Sequence, residues 1–215
     1  MEKMKELDEN KYAFVLGAAF LIGFIGHLIP LTYKIVLSAT PYVVIVSFGL
    51  VYINLISKQK EKLTSWMIGV VIITFIAEII GTKTGLLFGR HSYTDILGFR
   101  LIGVPVIIGL NWAIILLGVI LIANKFIKNI YLAAIAIGVI IVIFDLILEP
   151  VATKLYYWSW VNNTIPLKNY ITWFLMSVIA SFVYNKLEIK TNAKLPIYYM
   201  AIQAVFFVLL LIFFR

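Results

Sequence analysis

The chain contains no cysteine among its 215 residues, which excludes disulfides, iron–sulfur ligation and thiol nucleophiles. It has only two histidines, His27 and His91, and neither has a second histidine three or four positions away. That removes the helical zinc and di-iron spacings. Any metal would have to draw on Glu78, Asp145, Glu149 and His91, a poor donor set in an apolar bundle, so none is expected. Charged residues are scarce, 13% of the chain against about 25% in soluble domains. There is no glycine-rich phosphate loop, dinucleotide fingerprint or Gly-x-Ser-x-Gly elbow, so no cofactor is implied. The last apolar run has no lysine at its middle, so a retinal Schiff base has no anchor.

Apolar residues fill the space these absences leave. They make up 63% of the chain, and mean hydropathy is +1.03. They fall in runs of about 17–22 residues, the span of a bilayer. The pattern predicts an all-α, polytopic integral membrane bundle, one domain over 1–215, with seven transmembrane helices near 12–29, 38–56, 65–80, 102–123, 129–148, 169–186 and 196–214. The net charge of +8 comes from lysines spread over short connections instead of a stripe or arm. That pattern points to lipid headgroups and not to nucleic acid. Eleven Lys and Arg fall on the side of the N-terminus against seven opposite. The positive-inside rule therefore predicts a multi-pass protein of the cell (inner) membrane with its N-terminus in the cytoplasm. No small-residue cleavage site follows the first run, so a removable signal peptide is not expected.

Two connections are long: 81–101, after the third helix, and 150–168, after the fifth. Both follow an odd-numbered helix and so emerge on one face, where they can build a site together. The first is rich in glycine and is expected to form a re-entrant or capping loop. It carries Lys83, Arg90, His91, Tyr93 and Asp95, and the second carries Trp158 and Trp160.

Carboxylic acids in hydrocarbon are costly and point by default to function. Asp145 and Glu149 stand four apart at the end of the fifth helix and project from one face. Two such groups in an apolar medium do not both ionise readily, so an acid would stand beside a base. The competing reading makes them structural partners of Lys83, Arg90 or Lys154, with Pro150 marking the helix end. Glu78, flanked by apolar residues, must find a donor or stay protonated, unless it reaches to headgroup level. The tryptophans and tyrosines suit an interfacial belt. Their crowding behind Asp145 and Glu149 also suits a wall that stabilises a cation.

Taken in order, the segments from Glu78 to Asp95, Gly103 to Trp112 and Asp145 to Ala152, then Trp158 with Trp160 and Pro166 to Trp173, resemble a membrane carotenoid-biosynthesis family. That family includes carotenoid 1,2-hydratases and bisanhydrobacterioruberin hydratase. The likeness runs over about 75–176. It implies a cofactor-independent hydro-lyase acting on an acyclic carotenoid such as lycopene. Water adds across the terminal alkene to give a tertiary alcohol. Protonation at C2 leaves a tertiary cation at C1, which calls for a protonated acid, an aromatic wall and a base.

The expected acid and base are Asp145 and Glu78, with Glu149 and Asp95 as orienting or substitute members. Lys83 and Arg90 would tune the ionised member, and Tyr93, Asn111 and Asn169 would hold the water. Trp112, Trp158, Trp160 and Trp173 would line the end-group pocket. The expected partners are the carotenoid, water and membrane lipid, and other enzymes of the same pathway are candidates. Two alternatives stay open. A carotenoid end-group cyclase would lose a proton instead of capturing water, but the Pro-x-Glu-Glu pattern of small lycopene cyclases is missing. A proton-coupled transporter would be expected to show inverted repeats and broken helices.

Overall fold

The computed structural model describes residues 2–55 and 60–214, with residues 2–8 as backbone only. Among them are seven long helices: α1 (Glu2–Leu28), α2 (Pro30–Ile53), α3 (Lys60–Thr84), α4 (Ile107–Phe126), α5 (Ile130–Lys154), α6 (Leu167–Lys186) and α7 (Leu195–Phe213). Six are long and apolar enough to cross a membrane, and α6 is not among them. The difference from seven apolar spans is physical: α6 gives Asn169, Ser177 and Ser181 to the buried face. Its main neighbour is α5.

α4 is the central helix. It packs on α2, α3, α5, α6 and α7, and an unbroken stretch from Trp112 to Ile120 is buried. The other helices turn one stripe inward and leave isoleucines, leucines and valines such as Ile22, Ile72 and Ile143 on the outside. A soluble protein rarely exposes so large an apolar surface.

Several helix ends differ from the apolar runs. α1 begins upstream through charged residues, because a helix outside hydrocarbon needs no apolar face toward lipid. α2 starts at Pro30, whose missing N–H would be unpaired at a first position anyway. α5 continues one turn past Pro150 to Lys154. α4 starts at Ile107 instead of 102 because β2 (Arg100–Leu101) and β3 (Val104–Pro105) form a small antiparallel hairpin before it.

The two long connections do meet. The loop after α3 carries β1 (His91–Tyr93), and the loop after α5 carries β4 (Trp158–Trp160). They pair antiparallel, with His91 opposite Trp160 and Tyr93 opposite Trp158. In a two-stranded ribbon alternate side chains face one side. His91, Tyr93, Trp158 and Trp160 are buried toward the bundle, while Ser92 and Ser159 face out.

Glycine makes this cap possible at two points. A Cβ on Gly81 would lie 2.5 Å from the ring of Phe88, which folds back onto α3 there. Gly89 has φ +108° and lies against Pro166. The first two turns of α6 hold the same loop down: Thr172 Oγ1 donates to Leu87 O, and Lys168 Nζ donates to Gly85 O, each at 2.5 Å.

Candidate active site

Beneath the β1–β4 cap lies a cavity of about 30 Å³, lined by Glu78, His91, Tyr93, Asp145, Glu149 and Asn169 together with Trp112, Trp158, Trp160 and Trp173, and closed by Ile108 and Leu148. Glu78 stands six residues before the end of α3 and Asp145 nine before the end of α5. At 1.5 Å per residue they lie roughly 9 and 13 Å inside the bundle from those ends. The three acids are 1–3% exposed.

The hydrogen bonds divide the acids into two sets. Glu149 Oε2 accepts both indole N–H groups, from Trp158 at 2.9 Å and Trp160 at 2.8 Å. Asn169 Nδ2 donates to Asp145 Oδ2 at 2.7 Å and, more weakly, to Glu149 Oε1 at 3.3 Å. Glu149 thus receives three N–H donors, the environment of a carboxylate acting only as acceptor. Asp145 receives one.

Glu78 forms the second set with His91, whose Nε2 lies 3.2 Å from Glu78 Oε2. His91 Nδ1 faces the carbonyl of Gly89 at 3.1 Å. A carbonyl only accepts, so Nδ1 carries a hydrogen and the Glu78–His91 contact must itself contain a proton. Burial alone would lower the His91 pKa. The hydrogen bond and charge of Glu78 outweigh it, with smaller contributions from Gly89 and Glu149, and the ring is raised above its ordinary 6.5. The raised ring favours the His91 side of that contact for the shared proton.

The imidazole is packed among aromatic rings, 4.7 Å from Trp160 and 5.3 Å from Tyr93 between centroids. Burial first, then the charge of Glu78, push the Tyr93 phenol well above its usual range, so it remains a neutral donor. On the far wall Trp112 stacks on Trp173 at 3.9 Å.

Not every residue expected from the sequence reaches this cavity. Asp95 is a correction: its side chain is 91% exposed and pairs with Arg100 at the surface. It lies in a short 3-10 turn capped by Thr94, which directs it away from the bundle. Lys83 and Arg90 are exposed and border a surface recess on the outer side of the cap, beside Ser92 and Ser159. They do not line the acid cavity.

Asn111 also turns elsewhere. Its Oδ1 accepts from Tyr199 Oη at 2.7 Å and Gln203 Nε2 at 2.9 Å, and its Nδ2 donates to Gln203 Oε1 at 3.2 Å. Asn111 and Trp112 are sequence neighbours and so point about 100° apart around α4. Only Trp112 faces the acids. His91 is the reverse case: spacing rules for metal ligands gave it no role, yet it is the partner of Glu78. The signal was its place in a glycine-rich loop on the face shared with the acids. Among the described residues no three His, Asp or Glu side chains are grouped so as to hold a metal ion.

No curated protein and no solved structure matches the chain. A family model described as carotenoid biosynthesis protein matches residues 39–215. That stretch contains every residue lining the acid cavity. The match covers most of the chain, and the protein belongs to the carotenoid biosynthesis protein family.

Proposed function

We propose that the protein hydrates the terminal alkene of an acyclic carotenoid end group. The observation that carries the reading is the convergence of Asp145, Glu149 and the Glu78–His91 pair on one small cavity walled by four tryptophans inside an apolar bundle. A cavity of about 30 Å³ has room for one or two water molecules, each needing roughly 10–15 Å³. A hydratase must bring water to a cation without flooding it.

Asp145, as the carboxylic acid, donates its proton to C2 of the alkene, and the π bond leaves a tertiary cation at C1. The faces of the surrounding tryptophans stabilise that charge. Water forms the C1–O bond and loses a proton to Glu78, which His91 holds as the carboxylate. The proton returns from Glu78 to Asp145 through cavity water, so the cycle consumes only alkene and water. Glu149, held by two indoles, orients Asn169 and through it Asp145. Room for water beside a base favours capture of the cation over the proton loss that would give a cyclised end.

The test is co-expression with an acyclic carotenoid pathway, followed by pigment extraction and mass analysis. Wild type should add the mass of one or two waters, and Asp145→Asn should add none while retaining its fold. A cyclised product of unchanged mass would replace hydration by cyclisation. No product at all, where a positive-control hydratase succeeds, would remove the reading.

A further inference from the structure

Most of the apolar side chains left outside the bundle belong to helices, but one group belongs to a turn. The β2–β3 hairpin reverses at Ile102 and Gly103, since Leu101 pairs with Val104. Phe99, Leu101 and Ile102 are 75%, 49% and 57% exposed, and a Cβ on Gly103 would meet nothing within 4 Å. The tip therefore projects away from the bundle.

The backbone makes isoleucine an unfavourable choice there. Ile102 and Gly103 both have positive φ, +54° and +89°, as a two-residue type I′ turn requires. Asn-Gly or Asp-Gly fills such a turn with little strain, whereas a β-branched residue at positive φ is an outlier. An exposed side chain recovers nothing of that strain from the protein's own core. Transfer of an isoleucine side chain from water into hydrocarbon is of the same size as the strain, so an apolar medium around the tip would offset it. Water would not.

The fold sets the tip where such a medium lies. The 3-10 turn Asp95–Leu97 packs on α2, and β3 packs on α3. Gly98, just before the hairpin, lies against Pro41 of α2, and Gly109, just after it, lies against the carbonyl of Val71 in α3. The outward residues of these two helices, such as Ile45, Val46, Ile72 and Ile76, are apolar and exposed as well. α4 begins two residues beyond β3, and its 20 residues rise about 30 Å, the thickness of the hydrocarbon. With Lys125 in its last turn marking one boundary, the hairpin lies at the other. At the root of the hairpin Arg100 donates to Tyr93 O at 2.8 Å and pairs with exposed Asp95. Those charges suit the headgroup layer, where backbone groups that the short ladder leaves unpaired also find water.

We propose that the β2–β3 hairpin is an interfacial anchor that seats the cap on the bilayer. Phe99, Leu101 and Ile102 lie among the acyl chains of the leaflet on the cap side, and Arg100 with Asp95 lies at its headgroups. The hairpin joins the strand β1 to α4, so this seat also fixes the cap relative to the bundle. The inference rests on the spanning helices and requires no reaction at Asp145 or Glu78.

The experiment uses the full chain in lipid nanodiscs with one nitroxide spin label per molecule. Wild type has no cysteine, so Ile102→Cys, Leu101→Cys and, as the reference on the outer side of the cap, Ser92→Cys each supply a single thiol. Collisions with oxygen, which concentrates in hydrocarbon, and with a nickel chelate, which stays in water, report the depth of each label. Labels at Ile102 and Leu101 should favour oxygen severalfold over nickel and lie about 5–10 Å into the headgroup and acyl boundary. The Ser92 label should favour nickel. Ile102→Asn suits the turn but not hydrocarbon, and added to Leu101→Cys it should raise the nickel accessibility of that label severalfold. Labels at Ile102 and Leu101 that nickel reaches as readily as at Ser92 would leave the hairpin in water. Labels shielded from both reagents would mean that protein, such as a second copy of the chain, covers the tip. Either result, or a Leu101 label that Ile102→Asn leaves unmoved, would overturn the proposal. Loss of hydration in Asp145→Asn leaves these expectations unchanged, so the two readings fail separately.

Discussion

Asn169 is the side chain through which the geometry of the acid pair is most directly tested. It comes from α6 and holds Asp145 and Glu149 of α5 with the two hydrogens of one amide, at 2.7 and 3.3 Å. Asn169→Leu nearly preserves volume and removes both donors. Interhelical hydrogen bonds in membrane proteins average about 0.6 kcal/mol and reach about 1.7. The short bond to Asp145 belongs at the upper end and the long one near the mean. Leaving two buried acceptors short of donors adds roughly 1 kcal/mol or more.

The expected destabilisation is therefore about 2–4 kcal/mol, measured by equilibrium unfolding in mixed micelles. A double-mutant cycle with Asp145→Leu should return a coupling of about 1.5 kcal/mol, because the short bond is lost in either single variant. Hydration should fall at least tenfold, which is about 1.4 kcal/mol of barrier, since the acid is no longer aimed. Stability within 0.5 kcal/mol of wild type in Asn169→Leu, or strict additivity with Asp145→Leu, would show that the amide does not organise the pair.

Three further expectations test the cap and the second acid set. His91 has a raised pKa in the folded protein, so its contribution to stability is full below about 6.5 and is lost as pH rises through the folded value; unfolding of wild type between about pH 6 and pH 9 should show this decline, and His91→Phe should flatten it. Gly89→Ala should cost more than Gly103→Ala, about 2–3 against about 1 kcal/mol, because both have positive φ but only Gly89 abuts Pro166 while Gly103 faces open space; equal effects would mean that the loop is not seated on α6. Ser92 and Ser159 are exposed register partners with hydroxyls 3.1 Å apart, and the chain has no cysteine of its own, so Ser92→Cys with Ser159→Cys should oxidise to a disulfide and lose maleimide labelling; two thiols that stay reactive would deny the β1–β4 pairing.

How far the site could be read from sequence depends on the range of the interaction. Apolar runs locate the helices because hydrocarbon imposes length and composition, yet they place the ends poorly. Pro30 starts α2, Pro150 lies within α5, and the Arg100 to Pro105 hairpin replaces a helical turn, all by local backbone rules that hydropathy does not contain. That the two long loops share a face follows from helix parity alone. Their register does not, and that register sets His91 beside Trp160 over the acids. Asp95 and Glu78 look alike as isolated acids. One is capped outward by Thr94 and paired with Arg100, while the other is buried against a histidine thirteen residues on. Asn111 and Trp112 are adjacent in sequence, yet only Trp112 reaches the acid cavity, because a helix separates neighbours by about 100°.

The choice of donors bears on what the acids are for. Lys83, Arg90 and Lys154 were available to neutralise Asp145 and Glu149, and permanent cations at those carboxyls would fix both as anions in ion pairs. The structure leaves Lys83 and Arg90 outside the cap and sends Lys154 to the carbonyl of Phe214. Indole and amide N–H groups take their place at the carboxyls. A single neutral donor, as at Asp145, orients a carboxyl while leaving it able to bind and release a proton, and a site that must hand a proton to carbon and recover it needs that freedom. If the cluster were purely structural, replacing Glu149 and Asp145 together by Gln and Asn would keep the orientation and relieve the burial of charge. The double variant would then be at least as stable as wild type and fully active; stable but inactive protein is the result expected of a proton-handling site.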